Sequence, residues 1–135
     1  MKRKIIVPPT GLLPHRPYSP GVVAGRHLYV SGHTGSDPVT RDIANGVEAQ
    51  TRQAFDNIRA VVETAGGTMS DVVKVNIFMI DMNRDFEAMN AVFRKVFPKN
   101  PPARTTVGVS HLARPGLYLE IEVVAVLDDE AGAQR

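Results

Sequence analysis

Residues 101–126, PPARTTVGVSHLARPGLYLEIEVVAV, decide how this chain folds. They hold two stretches that alternate with the period of two a β-strand imposes, joined by a loop. In the second stretch Leu117, Leu119, Ile121, Val123, Ala125 and Leu127 fall on one side, an apolar set fit for a core. Tyr118, Glu120, Glu122, Val124 and Val126 fall on the other. In the first stretch Thr105, Val107 and Val109 share one side, and Arg104, Thr106, Gly108 and Ser110 share the other. The reading places the polar members of both strands on one sheet face. A guanidinium, a hydroxyl and two carboxylates then stand among apolar residues, and chemistry is expected there.

Upstream, the period changes to that of a helix. Over residues 46–65, Val47, Thr51, Ala54, Phe55, Ile58, Val61, Val62 and Ala65 recur at spacings of three and four. Glu48, Gln50, Arg52, Gln53, Asp56 and Arg59 take the outer side. Asn45 is the expected cap, and Gly66-Gly67 stops the helix. Residues 72–80 form a β-branched strand. A second helix is expected over 84–97, capped by Asn83, with Asp85 and Glu87 in its first turn as the macrodipole favours. Its apolar stripe is Phe86, Met89, Phe93, Val96 and Phe97, and Pro98 ends it.

Nearer the N-terminus, residues 21–24 and 27–33 read as a hairpin closed at Gly25-Arg26. The segment from Gly35 to Gly46 is loop. Residues 1–16 are an irregular, proline-rich lead-in with a short strand over 5–7, and residues 128–135 are a polar, frayed tail. The order is β-β-α-β-α-β-β. An α+β class follows, with one sheet and both helices packed on one of its faces, in a single domain over 1–135. The uncovered face, half polar and half apolar, suggests an oligomer that closes over it and leaves polar pockets at subunit boundaries.

Composition narrows the function. Without cysteine there is no thiolate nucleophile, thiolate metal site or disulfide. The four histidines show no ligand spacing, no serine sits in a nucleophile elbow, and the glycines form neither a GxGxxG nor a Walker loop. No metal or cofactor is therefore expected. No apolar run approaches membrane-spanning length, and the basic start breaks at Pro8-Pro9 before a signal-peptide core develops, so a cytoplasmic protein is expected. The 16 basic and 14 acidic residues nearly balance, and no basic stripe alternates with aromatics, so nucleic acid is not an expected partner.

What remains is acid–base chemistry. Glu120 and Glu122, two apart on a strand, have Cβ atoms ~6.5–7 Å apart on one face. They read either as a water-activating base or as a polar sheet face paired with Lys or Arg. Arg104, after the stiff Pro101-Pro102-Ala103 entry, suits a bidentate hold on a substrate carboxylate, or a surface ion pair. Ser31 can hydrogen-bond a ligand, and Gly32 lets a backbone N–H approach one. A carboxylate clamp with a carboxylate base points to a small organic acid as substrate.

In this order, PYSPGV (17–22), LYVSGH (28–33), GVEAQTRQAFDNI (46–58), VVKVNIFMIDM (72–82), FEAMNAVF (86–93), PPARTTV (101–107) and LEIEVVAV (119–126) resemble the RidA/YjgF family of reactive-intermediate (imine and enamine) deaminases. The resemblance implies a fold like chorismate mutase, assembled as a homotrimer with three clefts between subunits. It implies that Arg104 clamps the carboxylate of an enamine or imine acid such as 2-aminoacrylate, and that Glu120 positions water, giving a 2-keto acid and ammonia without a cofactor. Ser31 and Gly32 would line the pocket, Tyr18 would stand at its mouth, and Asn90 would contribute near the subunit boundary. Thr106 falls where many members have cysteine. Pro20 and His33 stand where glutamine is usual, and alternation puts His33 on the same face as Ser31. These departures bear on substrate preference. The alternatives are a pathway-specific deaminase of aminoacrylate or aminomuconate type, a carboxylate-binding regulatory module without turnover, and RNA cleavage or translation inhibition.

Overall fold

A computed structural model describes residues 2–9 and 16–128; the expected frayed tail lies almost wholly outside them. Six strands form one sheet in the order β1-β2-β3-β6-β4-β5. They are β1 (Arg3–Ile6), β2 (Gly21–Ala24), β3 (His27–Thr34), β4 (Val72–Met79), β5 (Ala103–Gly108) and β6 (Leu119–Val126). The helices α1 (Val47–Thr64) and α2 (Met82–Val96) lie between β3 and β4 and between β4 and β5. All neighbours are antiparallel except β4 and β5. A parallel pair needs a crossover, and α2 supplies it.

Both helices pack on one face, as expected. The Leu117-to-Leu127 set is buried throughout, because β6 is an inner strand with neighbours on both sides. Phe55 of α1 meets Phe93 and Phe97 at centroid distances of 5.9 and 5.6 Å in edge-on contacts, and these rings lock α1 to α2 and its C-cap. Each such fully buried side chain contributes roughly 1.5–3 kcal/mol. The opposite sheet face is open. Ile5, Tyr29 and Val107 are large apolar residues exposed on it or at its edge.

Several local expectations need correction. The short strand expected over 5–7 is present but shifted: β1 runs from Arg3 to Ile6, paired along β2 over that length, because pairing with an existing edge compensates for a short segment. α1 begins at Gly46, whose φ of 91° provides the bend without a side-chain cap, so Asn45 does not cap it. α2 begins two residues early: the Asp81 carboxylate, not Asn83, accepts from the Arg84 N–H at 3.0 Å. Of the two expected first-turn acids, only Asp85 lies there.

Gln50, assigned above to the outer side of α1, is 1% exposed. Its amide donates to the Ala44 and Gly116 carbonyls at 3.1 and 2.9 Å and accepts from the Tyr118 N–H at 2.8 Å. An amide can be buried when its hydrogen bonds are met, and here it ties two loops to the helix. Gln50→Ala strands three backbone groups at ~1 kcal/mol each, so urea unfolding is expected to show a loss of about 3 kcal/mol. A loss below about 1 kcal/mol would show the loops held by other contacts.

Candidate functional site

The expected site residues fall into two groups on opposite faces of the sheet. In the parallel β4–β5 pair Arg104 stands opposite Val75 and Thr106 opposite Ile77. Val75 and Ile77 are fully buried under the helices, and residues paired across neighbouring strands point the same way. Arg104 and Thr106 are thus on the helix side. Glu120 pairs with Phe78, and Glu122 with Asn76, on the open side. The expectation that Arg104 and Thr106 share a face with Glu120 and Glu122 is therefore wrong. Alternation sorts a strand into two sets without saying which meets the core. Because β5 is an edge strand, its more apolar set is the exposed one.

The first group sits at the flank of α2. The Arg104 guanidinium donates to Asn90 Oδ1 at 2.5 Å. It lies over the Phe93 ring at 4.7 Å and near Phe86 at 5.6 Å. Burial, and then the nearby Arg94, lower its pKa from the ordinary value, yet arginine stays charged in proteins. Among the described residues no carboxylate forms an ion pair with it. Two residues on, the Thr106 hydroxyl is buried without a hydrogen-bond partner. A cation held by aromatic faces and one amide, beside an orphaned hydroxyl, is an arrangement ready to take an anion.

The second group lines a cleft of about 840 Å³ that runs from Glu120, past the end of β3, to the α1 residues Gln53, Asp56, Asn57 and Ala60. A bulge between Val30 and His33 shifts the β3 register on β6. There Gly32 meets Glu120 so closely that a Cβ on it would lie 2.1 Å from Glu120 Oε2. The carboxylate makes no hydrogen bond or ion pair among the described residues. Partial burial, then the neighbouring Glu122, raise its pKa from the ordinary value. Glu122 is itself held by Asn76 Nδ2 at 3.0 Å. Ser31 spends its hydroxyl proton on the Ser19 carbonyl at 2.5 Å, and its N–H on Pro20 at 2.9 Å. It thereby fixes the 18–20 segment, and Tyr18 stands half exposed at the cleft edge with its hydroxyl accepting from Arg16.

The same bulge moves His33. It pairs with Ile121 on the helix side, not on the face of Ser31, and its Nε2 is buried without a partner. Burial lowers its pKa from 6.5 to about 4, against the pull of a hydrogen bond with Pro20 and with help from the positive charge of Arg16. The ring is neutral when folded, whereas an unfolded histidine takes its proton near 6.5. Stability is therefore intact above pH 6.5 and falls progressively as pH drops from there to about 4. His33→Gln is expected to recover about 2 kcal/mol of that acid-side loss, measured as the difference between urea midpoints at pH 7 and 4.5 for both proteins. Parallel pH dependence in the two would place the acid-labile group elsewhere.

Three arginines of this cleft were not singled out by sequence: Arg16, Arg41 and Arg114. They come from three separate loops, and only the fold brings them together. Among the described residues no cluster of His, Asp or Glu could hold a metal ion, and no helix is long and apolar enough to cross a membrane.

Comparison with known proteins gives these geometries a context. The family model described as Endoribonuclease L-PSP matches residues 10–127. The chain is 42% identical over 127 residues to a 2-iminobutanoate/2-iminopropanoate deaminase of Dermatophagoides farinae, covering 93% of this chain and 98% of that one. It superposes on RidA from the Antarctic bacterium Psychrobacter sp. PAMC 21119 with a TM-score of 0.85 at 36% identity, covering 92% and 99% of the two chains. For the YjgF gene product of E. coli the TM-score is 0.84 at 36% identity, with 91% and 98% covered.

Proposed function

Since the chain belongs to the Endoribonuclease L-PSP family, which includes the YjgF and RidA proteins, we propose that it hydrolyses imine and enamine forms of small carboxylic acids to 2-keto acids and ammonia. The deaminase named above, alike over most of both chains, supports the reaction class. The observation that carries the reading is the complementarity of the two groups. One offers a guanidinium with no carboxylate partner, and the other offers a carboxylate with no hydrogen-bond partner in a cleft.

In this reading Arg104 holds the substrate carboxylate, with Asn90 fixing the guanidinium and Thr106 offering its hydroxyl. An enamine tautomerises to the imine before hydrolysis. Glu120 takes a proton from water as the oxygen attacks the imine carbon. It passes that proton to nitrogen to give the carbinolamine, then takes the hydroxyl proton and delivers it to the same nitrogen as the C–N bond breaks, so that ammonia leaves and the carbonyl forms. Water supplies the oxygen and two hydrogens, so the balance closes without a redox partner. Its pKa, raised by partial burial and by Glu122, makes Glu120 a stronger base than an ordinary carboxylate, which suits a group that must accept and return a proton.

The two groups lie on opposite faces, so the reading also requires a second copy of the chain, with Arg104 of one copy meeting Glu120 of the next. The exposed apolar residues of the open face suit burial against such copies, and a closed homotrimer with three equal clefts is the assembly proposed. The test is release of keto acid and ammonia from 2-aminoacrylate generated in situ by a dehydratase. Acceleration over the spontaneous rate is expected, and a rate equal to the protein-free control would overturn the proposal.

A further inference from the structure

We infer that the cleft takes substrates with a second acidic group, imines of dicarboxylic acids, and that Arg114 with Arg16 and Arg41 receives the distal carboxylate. The inference rests on the deaminase reading and names the substrate class of the same site. In that reading a single carboxylate is already accounted for by Arg104 of the neighbouring copy. The cleft around Glu120 nevertheless carries three more guanidinium groups.

None of the three has a carboxylate partner among the described residues. The aspartates of the cleft are engaged elsewhere. Asp37 accepts from the Val39 and Thr40 N–H groups at 2.8 and 2.9 Å, and Asp56 pairs with Arg59 at 3.2 Å. Two of the three guanidinium groups are placed by hydrogen bonds, and the backbone of the third is fixed. The Arg114 guanidinium donates to the Arg41 carbonyl at 2.9 Å and reaches Ser36 Oγ at 3.4 Å. Arg41 has φ of 72°, a conformation costly for a side chain with a Cβ. It is held there by that bond and by its own N–H on the Asp37 carbonyl at 2.9 Å. Arg16 is fixed on Tyr18 by a hydrogen bond and ring contact.

Thr34 stands opposite Glu120 in the β3–β6 pair. Its hydroxyl is 3.1 Å from Ser36 Oγ, the atom that Arg114 reaches. Cross-strand and hydrogen-bond spacings then put Arg114 on the order of 10 Å from the Glu120 carboxylate. An acid reacting beside Glu120 and extended by a few carbon atoms would bring a terminal carboxylate to that guanidinium. A three-carbon acid would leave it unused.

The experiment compares binding of 2-oxoglutarate and 2-oxobutanoate by titration calorimetry, since the two differ in the distal carboxylate. Wild type is expected to bind the dicarboxylate about tenfold or more tightly, the scale of one charge-assisted contact. Arg114→Met should erase most of that ratio, and Arg114→Lys should keep part of it. Because Arg114 also supports Arg41, Arg16→Met provides a variant that leaves the loop bonds intact, and it should lower the ratio too. Equal or tighter binding of 2-oxobutanoate by wild type overturns the inference, as does a ratio unmoved in both Met variants. Turnover of 2-aminoacrylate by the same preparation separates the two claims. Turnover without dicarboxylate preference removes the subsite and keeps the reaction. Dicarboxylate preference without turnover keeps the subsite and removes the reaction.

Discussion

Gly32→Ala is expected to lower kcat/KM for imine hydrolysis about 10²-fold while leaving the fold intact. The added methyl would stand 2.1 Å from Glu120 Oε2, 2.8 Å from Cδ and 3.1 Å from Cγ. All three atoms belong to the outer part of a flexible side chain, so the strain is relieved by swinging the carboxylate away. Displacement of a catalytic group by an ångström or so costs on that order in rate. Stability should change little. Gly35→Ala provides the contrast, because its methyl would stand 2.5 Å from the Cα of buried Gln50. Helix backbone cannot move aside, so that variant should lose stability instead. If Gly32 acts through Glu120, then Gly32→Ala combined with Glu120→Gln should be no slower than Glu120→Gln alone. Further slowing in the double variant would assign Gly32 a separate contact with substrate. Near-normal kcat/KM for Gly32→Ala would remove Glu120 from the reaction.

The parts of this architecture legible in the sequence are those where a pattern has one physical interpretation. The Leu117-to-Leu127 alternation and the Phe55 stripe could only face a core, and Gly25, with φ of 64°, marked the hairpin turn. Where a pattern has two interpretations, the sequence did not choose. The β5 alternation gives the same two sets whichever faces the helices, and the register with β4, a long-range fact, put Arg104 under α2. The bulge at Ser31-Gly32 leaves no trace in a residue count, so His33 was placed on the wrong face. Gln50 and Asp81 show the same limit. Both are polar residues whose burial or capping role depends on partners that local spacing does not reveal. The candidate site was legible as residue types, since Arg104, Glu120, Ser31 and Gly32 were all singled out. It was not legible as geometry, and the arginines at 16, 41 and 114 become neighbours only after folding.

That geometry leads to the second large effect. Arg104→Ala and Glu120→Gln should each abolish deamination, but an equal mixture unfolded and refolded together should regain about a quarter of wild-type activity. Arg104 and Glu120 lie two strands apart and point to opposite faces of one sheet. No side-chain rotation brings them together within a chain, and breaking the sheet between them would destroy the core. A cleft that needs both must take each from a different copy. In a closed ring assembled at random, a given cleft receives an intact Arg104 with even odds and an intact Glu120 with even odds, which gives the quarter whatever the size of the ring. Each variant refolded alone should remain inactive, so recovery in the mixture reports hybrid clefts. Absence of recovery from an assembled mixture would mean that clamp and base act within one chain. Given the two faces, Arg104 would then not be the clamp, and Arg114, in the same cleft as Glu120, would be the guanidinium positioned to replace it.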